Sequence, residues 1–210
     1  APENVSLAQI RQLVGLNVIV CLGHSNADAM TVQAALDAGA TGFTHLYNAM
    51  SPLTSREPGM VGVALADPHS WCGVIFDGYH MHPLAAKVAL AAKPKGKLLL
   101  VTDAMSPVGT DQKEFEFFDG KVTRQGLKLT NAEGSLAGSV LDMAAAVQYA
   151  VTELGTDQGE ALRMASLYPA EFLGIADRAG RIAAGYRADL VLLDQKGVVQ
   201  QCFIAGQSLK

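Results

Sequence analysis

Apolar and polar positions follow a repeating order through the first half of the chain. A short apolar run ends in a polar residue able to do chemistry, and three of the four segments that follow have helical spacing. The runs are VIVCLGH ending at His24, GFTH ending at His45, VIFDGYH ending at Asp77 and His80, and LLLVTD ending at Asp103. Short, continuous and rich in β-branched residues, they predict buried strands over 17–23, 41–46, 71–76 and 97–102. Helices are predicted over 5–14, over 26–38 with Gly39 as a left-handed cap, and over Pro83–Ala92 with Pro83 in the first turn. The stretch 47–62, rich in Pro, Gly and Ser, predicts a long loop without regular structure. Strand, functional residue, helix is the order of a parallel β/α barrel, whose active site gathers at the C-terminal ends of its strands.

The pattern changes after Ser106. Residues 115–130 alternate in polarity around Asp119–Gly120, a hairpin signal. Residues 139–154 and 157–173 predict two long amphipathic helices, and 189–193 and 198–204 predict antiparallel strands that break the β/α alternation. Only about four β/α units are present, whereas a complete barrel takes about 250 residues. The chain also opens at APEN with no initiator Met. The expectation is therefore an α/β protein in which 1–180 form the second half of a (β/α)8 TIM-type barrel. Residues 181–210 would supply strands of a small β-sandwich domain, and the N-terminal part of both would lie outside this chain.

Composition narrows the partners. A 210-residue chain that is 50% hydrophobic and 17% charged can bury a sizeable core. A net charge of −4 and a pI near 5.7 carry no global attraction for nucleic acid or an anionic membrane. No apolar run approaches the roughly 18 residues needed to span a bilayer, and no basic leader opens the chain. Cys21, Cys72 and Cys202 are odd in number, far apart and set in apolar runs, which predicts reduced core thiols and a cytoplasmic protein.

The candidate chemistry sits at the strand ends. His24 and His45 are 21 residues apart, a separation that suits neighbouring barrel strands and would bring two imidazoles to one ion. A catalytic zinc takes about three protein ligands and a water, so the pair is one ligand short, and no carboxylate here is an evident third. Asp103 ends the fourth run and suits proton transfer beside a metal, with capping of the next turn as the structural alternative. Asp77 precedes Gly78 as a turn former would, and His80 suits an anionic or hydroxyl-rich ligand. His69 and His82 carry weaker signals and are expected to be peripheral. Arg56 in TSREPG has the planar fork that clamps phosphate or carboxylate, with Asn48 and Ala49 beside it, although most loop arginines are simply solvated. GSLAGS over 134–139 reads as an ordinary loop and cap, or as backbone groups laid against a ligand.

Taken together, GHSNA, THLYNAM with TSREPG, DGYH, VTDAM, SLAGS, RMASLYPA and AGYRADLV occur in one order along nearly the whole chain. That order resembles the N-acetylglucosamine-6-phosphate deacetylases of the amidohydrolase superfamily. The resemblance implies metal-dependent hydrolysis of N-acetylglucosamine 6-phosphate to glucosamine 6-phosphate and acetate, in amino-sugar catabolism and recycling. It carries over His24 and His45 as metal ligands and Asp103 as the acid/base. Asn48, Ala49, Arg56, Asp77, Gly78, Tyr79, His80, Leu136, Ala137 and Gly138 match substrate-binding positions. It implies a divalent metal, zinc first with iron, manganese or cobalt also compatible, and a homodimer in which Arg56 serves its own or the neighbouring subunit. The family's third ligand, a glutamate in an E-G-P motif, lies upstream of the matched region. These residues alone are accordingly expected to be inactive and to need the preceding segment as a partner. Competing readings are another amidohydrolase, dihydroorotase-like or deaminase-like, and a sugar-phosphate-binding fragment without catalysis.

Overall fold

A computed structural model of the protein describes residues 1–117 and 120–209. The fold is mixed α/β and divides into two compact units. One comprises Ala1–Val74 and Pro83–Leu99; the other comprises Ile75–His82 and Leu100–Lys210.

The first unit is a sheet with helices between its strands. Strands β1 (Cys21–Leu22), β2 (Gly42–Phe43), β3 (Trp71–Val74) and β4 (Leu98–Leu100) lie in sequence order, with β1–β2 and β2–β3 parallel. Helices α1 (Leu7–Gly15), α2 (Ala29–Asp37), α3 (Gly59–Ala66) and α4 (Pro83–Ala92) complete it. The strands fall inside the four predicted runs but are shorter. Local signals start and stop two of the helices. Ser6 and Gln9 form a reciprocal capping box at α1, and Asp28 accepts from Thr31 N at 2.8 Å to open α2. Gly39, at φ 107°, follows the end of α2.

Helix α3 corrects the expected loop over 47–62, whose last four residues are its first turn. Its sequence, GMVGVALA, is apolar all round, and six of its eight residues are buried. Pro58, at its N-cap, has no side chain able to cap it. Glu57 accepts from Gly59 N at 3.0 Å and Ser51 Oγ accepts from Met60 N at 2.7 Å. At the other end, the buried Lys93 ammonium donates to Ala64 O (2.9 Å), Asp67 O (2.5 Å) and Ser70 Oγ (3.2 Å). The helix is thus terminated by the nearby Glu57 and by Ser51 and Lys93, farther off in sequence, which satisfy its orphan amides and carbonyls.

The second unit holds an antiparallel sheet of β5 (Glu114–Phe117), β6 (Gly120–Gln125), β7 (Lys128–Thr130) and β8 (Leu136–Ser139) in that order. Phe117 pairs with Gly120 across the predicted hairpin, whose Asp119 lies outside the described residues. Val122, Leu129 and Val140 form the buried centre, with Met105, Phe115 and Ala137 against it. Residues 136–139 are therefore a strand rather than the loop expected for GSLAGS. Helix α5 (Met143–Thr152) is capped by Asp142 and is shorter than predicted. The single helix expected over 157–173 is two, α6 (Gln158–Ala165) and α7 (Leu167–Phe172). They break at Ser166, where φ is −138°, and Pro169 lacks the amide that would bond back to Ala165. The sheet of β9 (Leu190–Leu193), β10 (Val199–Ile204) and β11 (Gln207–Ser208) is antiparallel, as predicted for the first two.

Of the three cysteines expected in the core, only Cys72 is buried. Cys21 is exposed and Cys202 half-buried, and all three are free. Burial pushes the Cys72 thiol up to about 12. Among the described residues, no helix is long and apolar enough to cross a membrane.

Candidate active site

Among the described residues, seven other than glycine have positive φ: Asn17, His24, His45, Tyr47, Ala49, Asp103 and Ala205. Each such backbone costs on the order of 1–3 kcal/mol and persists only where its surroundings over-determine it. His24, His45 and Asp103 are three strand-end residues singled out by their chemistry, so the strain coincides with the candidate site. The sequence signalled their side chains but not their backbone conformation.

In the first unit, His24 and His45 meet. Their Nε2 atoms approach to 2.6 Å, with ring centroids 4.5 Å apart and planes at 75°. His45 is buried and His24 exposed. Parallel pairing of β1 with β2 sets them side by side, since Leu22 is in register with Phe43 and each histidine follows two residues later. Beyond the strands, Ser25 N donates to Ala49 O and Ser51 N to Ser25 O, both at 2.9 Å, which prolongs the pairing past both histidines. Gly23 makes the approach possible: a Cβ there would lie 2.3 Å from Thr44 Cγ2. From the other side, Glu3 accepts from Ser25 Oγ at 2.6 Å and from Asn26 N at 3.2 Å. The Ser25 hydroxyl holds the Glu3 carboxyl below the usual carboxylate range. Sequence reasoning did not single out Glu3; a carboxylate just ahead of a helix gave no signal of its contact at Ser25.

Two imidazole nitrogens aimed at one point are a donor set that fits a borderline divalent cation such as zinc, as two of about four ligands. No group of three His, Cys, Asp or Glu side chains able to hold a metal occurs among the described residues. The pair fits the ion and leaves it under-coordinated.

Asn48 is half-buried and its side-chain amide donates to His45 O (3.3 Å) and Leu46 O (3.2 Å), while Ala49 is exposed. Arg56 is exposed on a turn closed by Thr54 Oγ1, which donates to Glu57 O at 2.8 Å. Glu57 ties this turn to the start of α2 by accepting from Ala29 N at 2.8 Å. Arg56 thus projects from a braced turn, and among the described residues its guanidinium makes no hydrogen bond.

In the second unit, Asp77 and His80 form a buried pair, Asp77 Oδ2 to His80 Nδ1 at 2.7 Å. Asp77 Oδ1 also accepts from Tyr79 N and His80 N, each at 2.8 Å. Burial pushes the Asp77 carboxyl up, but the His80 ring and the two amides outweigh it and hold it below the ordinary range. Asp77 therefore orients the imidazole and fixes the DGYH turn. Gly78, at φ 78°, lies against Tyr149, whose hydroxyl would be 3.0 Å from a Cβ. Tyr79 is exposed at the tip. Asp103 is exposed, and its backbone bonds to β8, which carries Leu136, Ala137 and Gly138. The unit thus brings Asp103 and the 136–138 segment together. His69 and His82 are exposed.

The chain belongs to the amidohydrolase family, whose profile matches residues 2–209. It is 56% identical over 209 residues to N-acetylgalactosamine-6-phosphate deacetylase of Shewanella sp. (strain ANA-3), covering 100% of this chain and 53% of that protein. It is 40% identical over 191 residues to N-acetylglucosamine-6-phosphate deacetylase of Bacillus subtilis (strain 168), covering 91% and 48%. The crystal structure of N-acetylglucosamine-6-phosphate deacetylase from Pasteurella multocida matches with a TM-score of 0.95 at 34% identity, over 99% of this chain and 55% of that one. The chain spans about half the length of these relatives.

Proposed function

We propose that the protein hydrolyses the N-acetyl group of an N-acetylhexosamine 6-phosphate, releasing acetate and the hexosamine 6-phosphate. The observation that carries this reading is the convergence of the His24 and His45 Nε2 atoms at strand ends. His24 and His45 would hold the metal, zinc first among the divalent ions, and a carboxylate outside this chain would be the third ligand. A metal bound there supplies Lewis acidity, which polarises the amide carbonyl and acidifies a water. Asp103 takes the water's proton and delivers it to the amine, which leaves poorly unless protonated. Arg56 clamps the 6-phosphate with its planar fork, beside Asn48 and the Ala49 backbone. His80, oriented by Asp77, and the segments 77–80 and 136–138 hold the sugar.

The gluco sugar is the substrate implied by the motifs. The 56% identity to a galacto-named deacetylase favours its C4 epimer as a second reading. We further infer that β1–β4 and their helices belong to the second half of a (β/α)8 barrel, which 1–180 supply, and that 181–210 contribute strands to a small β-sandwich domain. Support comes from the sequential order of β1 to β4 and from the half-length coverage. The edge strand β1, with Val18 and Ile19 exposed beside it, suits pairing with a preceding segment.

The test is acetate release from both sugar phosphates by the complete protein, with bound metal measured on the same sample. Activity that tracks metal, collapses in Asp103→Asn with metal retained, and shows a raised KM for the phosphorylated sugar in Arg56→Ala is expected. A metal-loaded protein inactive on both epimers would overturn the reading.

A further inference from the structure

Asp103 holds a left-handed backbone, φ 50°, yet among the described residues its carboxylate makes no hydrogen bond. What fixes it is therefore the main chain, and one residue bonds to that chain at Thr102, Asp103 and Met105. Ser139 is fully buried at the end of β8. Its hydroxyl donates to Thr102 O at 2.5 Å, and its amide donates to Asp103 O at 2.8 Å. Its carbonyl accepts from Met105 N at 2.9 Å. The same hydroxyl oxygen accepts from Leu141 N at 3.0 Å, so the side chain is locked in both directions.

We infer that Ser139 is a positioning residue for the proposed proton carrier: it clamps residues 102–105 so that Asp103 is presented in a strained conformation with its carboxylate free to exchange a proton. The clamp is anchored, since Val140 and Leu129 sit in the core of the β5–β8 sheet and Met105 packs on it. Gly138 is part of the device. At φ 76° it lets β8 close on the segment, where a Cβ would lie 2.5 Å from Met105 Cγ and 3.0 Å from Asp103 O. Losing the Ser139 hydroxyl leaves Thr102 O without its buried donor and lets the segment relax toward a right-handed or extended backbone. That displacement moves the carboxylate from its working position without removing it.

The inference rests on the deacetylase reading for its catalytic meaning but has a readout independent of any substrate. In the complete protein, Ser139→Ala is compared with the equal-shape pair Ser139→Thr and Ser139→Val, in which only Thr keeps a hydroxyl. Amide exchange over residues 102–106 is expected to rise by about tenfold or more in the Ala and Val variants, with α5 unchanged. Their kcat for the sugar phosphate is expected to fall by about 10- to 100-fold at unchanged KM, as for a misplaced catalytic group, while the Thr variant keeps most of it. Unaltered exchange over 102–106 in Ser139→Val, equal impairment of the Thr and Val variants, or a loss confined to KM would overturn the inference. A wild type inactive on both epimers would sink the deacetylase reading alone, and the exchange measurement would still decide the clamp.

Discussion

Gly23 is the tightest point behind the two histidines, and its replacement by alanine is the most direct trial of the geometry. A Cβ at this position would stand 2.3 Å from Thr44 Cγ2, about 1 Å inside ordinary contact; the next neighbours, Thr44 Cβ at 3.6 Å and Met50 Cε at 3.8 Å, are unobstructed. The backbone at Gly23 is not left-handed, so the penalty comes from the methyl–methyl overlap alone. Relief requires Thr44 to leave its rotamer or β1 and β2 to separate immediately ahead of His24 and His45. Overpacking of this kind costs about 1–3 kcal/mol. Separation of the strand ends should weaken metal binding by about 10- to 100-fold, as loss of the support behind a metal ligand does. The assay is denaturant unfolding of the complete protein together with metal affinity by chelator competition. Thr44→Ser removes the offending Cγ2, so the double variant should recover both quantities, with a coupling of about 1–2 kcal/mol between the sites. A neutral Gly23→Ala, or a loss that Thr44→Ser fails to restore, would refute the reasoning.

Two further outcomes follow from buried charge. Lys93→Met keeps the stem but removes the ammonium from Ala64 O, Asp67 O and Ser70 Oγ, leaving buried acceptors at the end of α3. It should cost about 2–4 kcal/mol in urea unfolding, and a loss below about 1 kcal/mol would contradict the cap. Asp77, held below its ordinary range in the folded protein, contributes stability that is present above the unfolded carboxylate value and lost as pH falls through the folded one. Wild type should therefore lose more stability than Asp77→Asn between about pH 6 and pH 3; parallel pH profiles would show that the His80 contact does not matter to folding.

Much of the first unit was legible because its signals are local. Four apolar runs each contained a strand, Pro83 opened α4 at its own position, and Gly39 closed α2, although that helix opens at Ala29 rather than at residue 26 because Asp28 caps it. His24 and His45 could be paired from spacing, since parallel neighbours in register bring residues two past each strand to the same level. Helix α3 was illegible for the opposite reason. Its two glycines and preceding proline read as loop, and the groups that terminate it sit at Ser51 and Lys93. The break at Ser166 and the conversion of 136–139 into a strand were missed as well. Amphipathic spacing runs straight through a proline, and a glycine-rich tetrapeptide shows no strand pattern until β7 lies beside it.

By itself, the sequence determined which residues have chemistry to offer and roughly where strands and helices begin, because side-chain type, apolar period and local caps act within a few residues. Only the tertiary structure decided that three strand-end residues adopt left-handed backbones, that Glu3 braces Ser25 and that Ser139 clamps the Asp103 segment. Those are contacts between residues 22 to 37 positions apart. Such bonds come into being only when packing has paid the entropy of closing the intervening chain, so no local pattern encodes them.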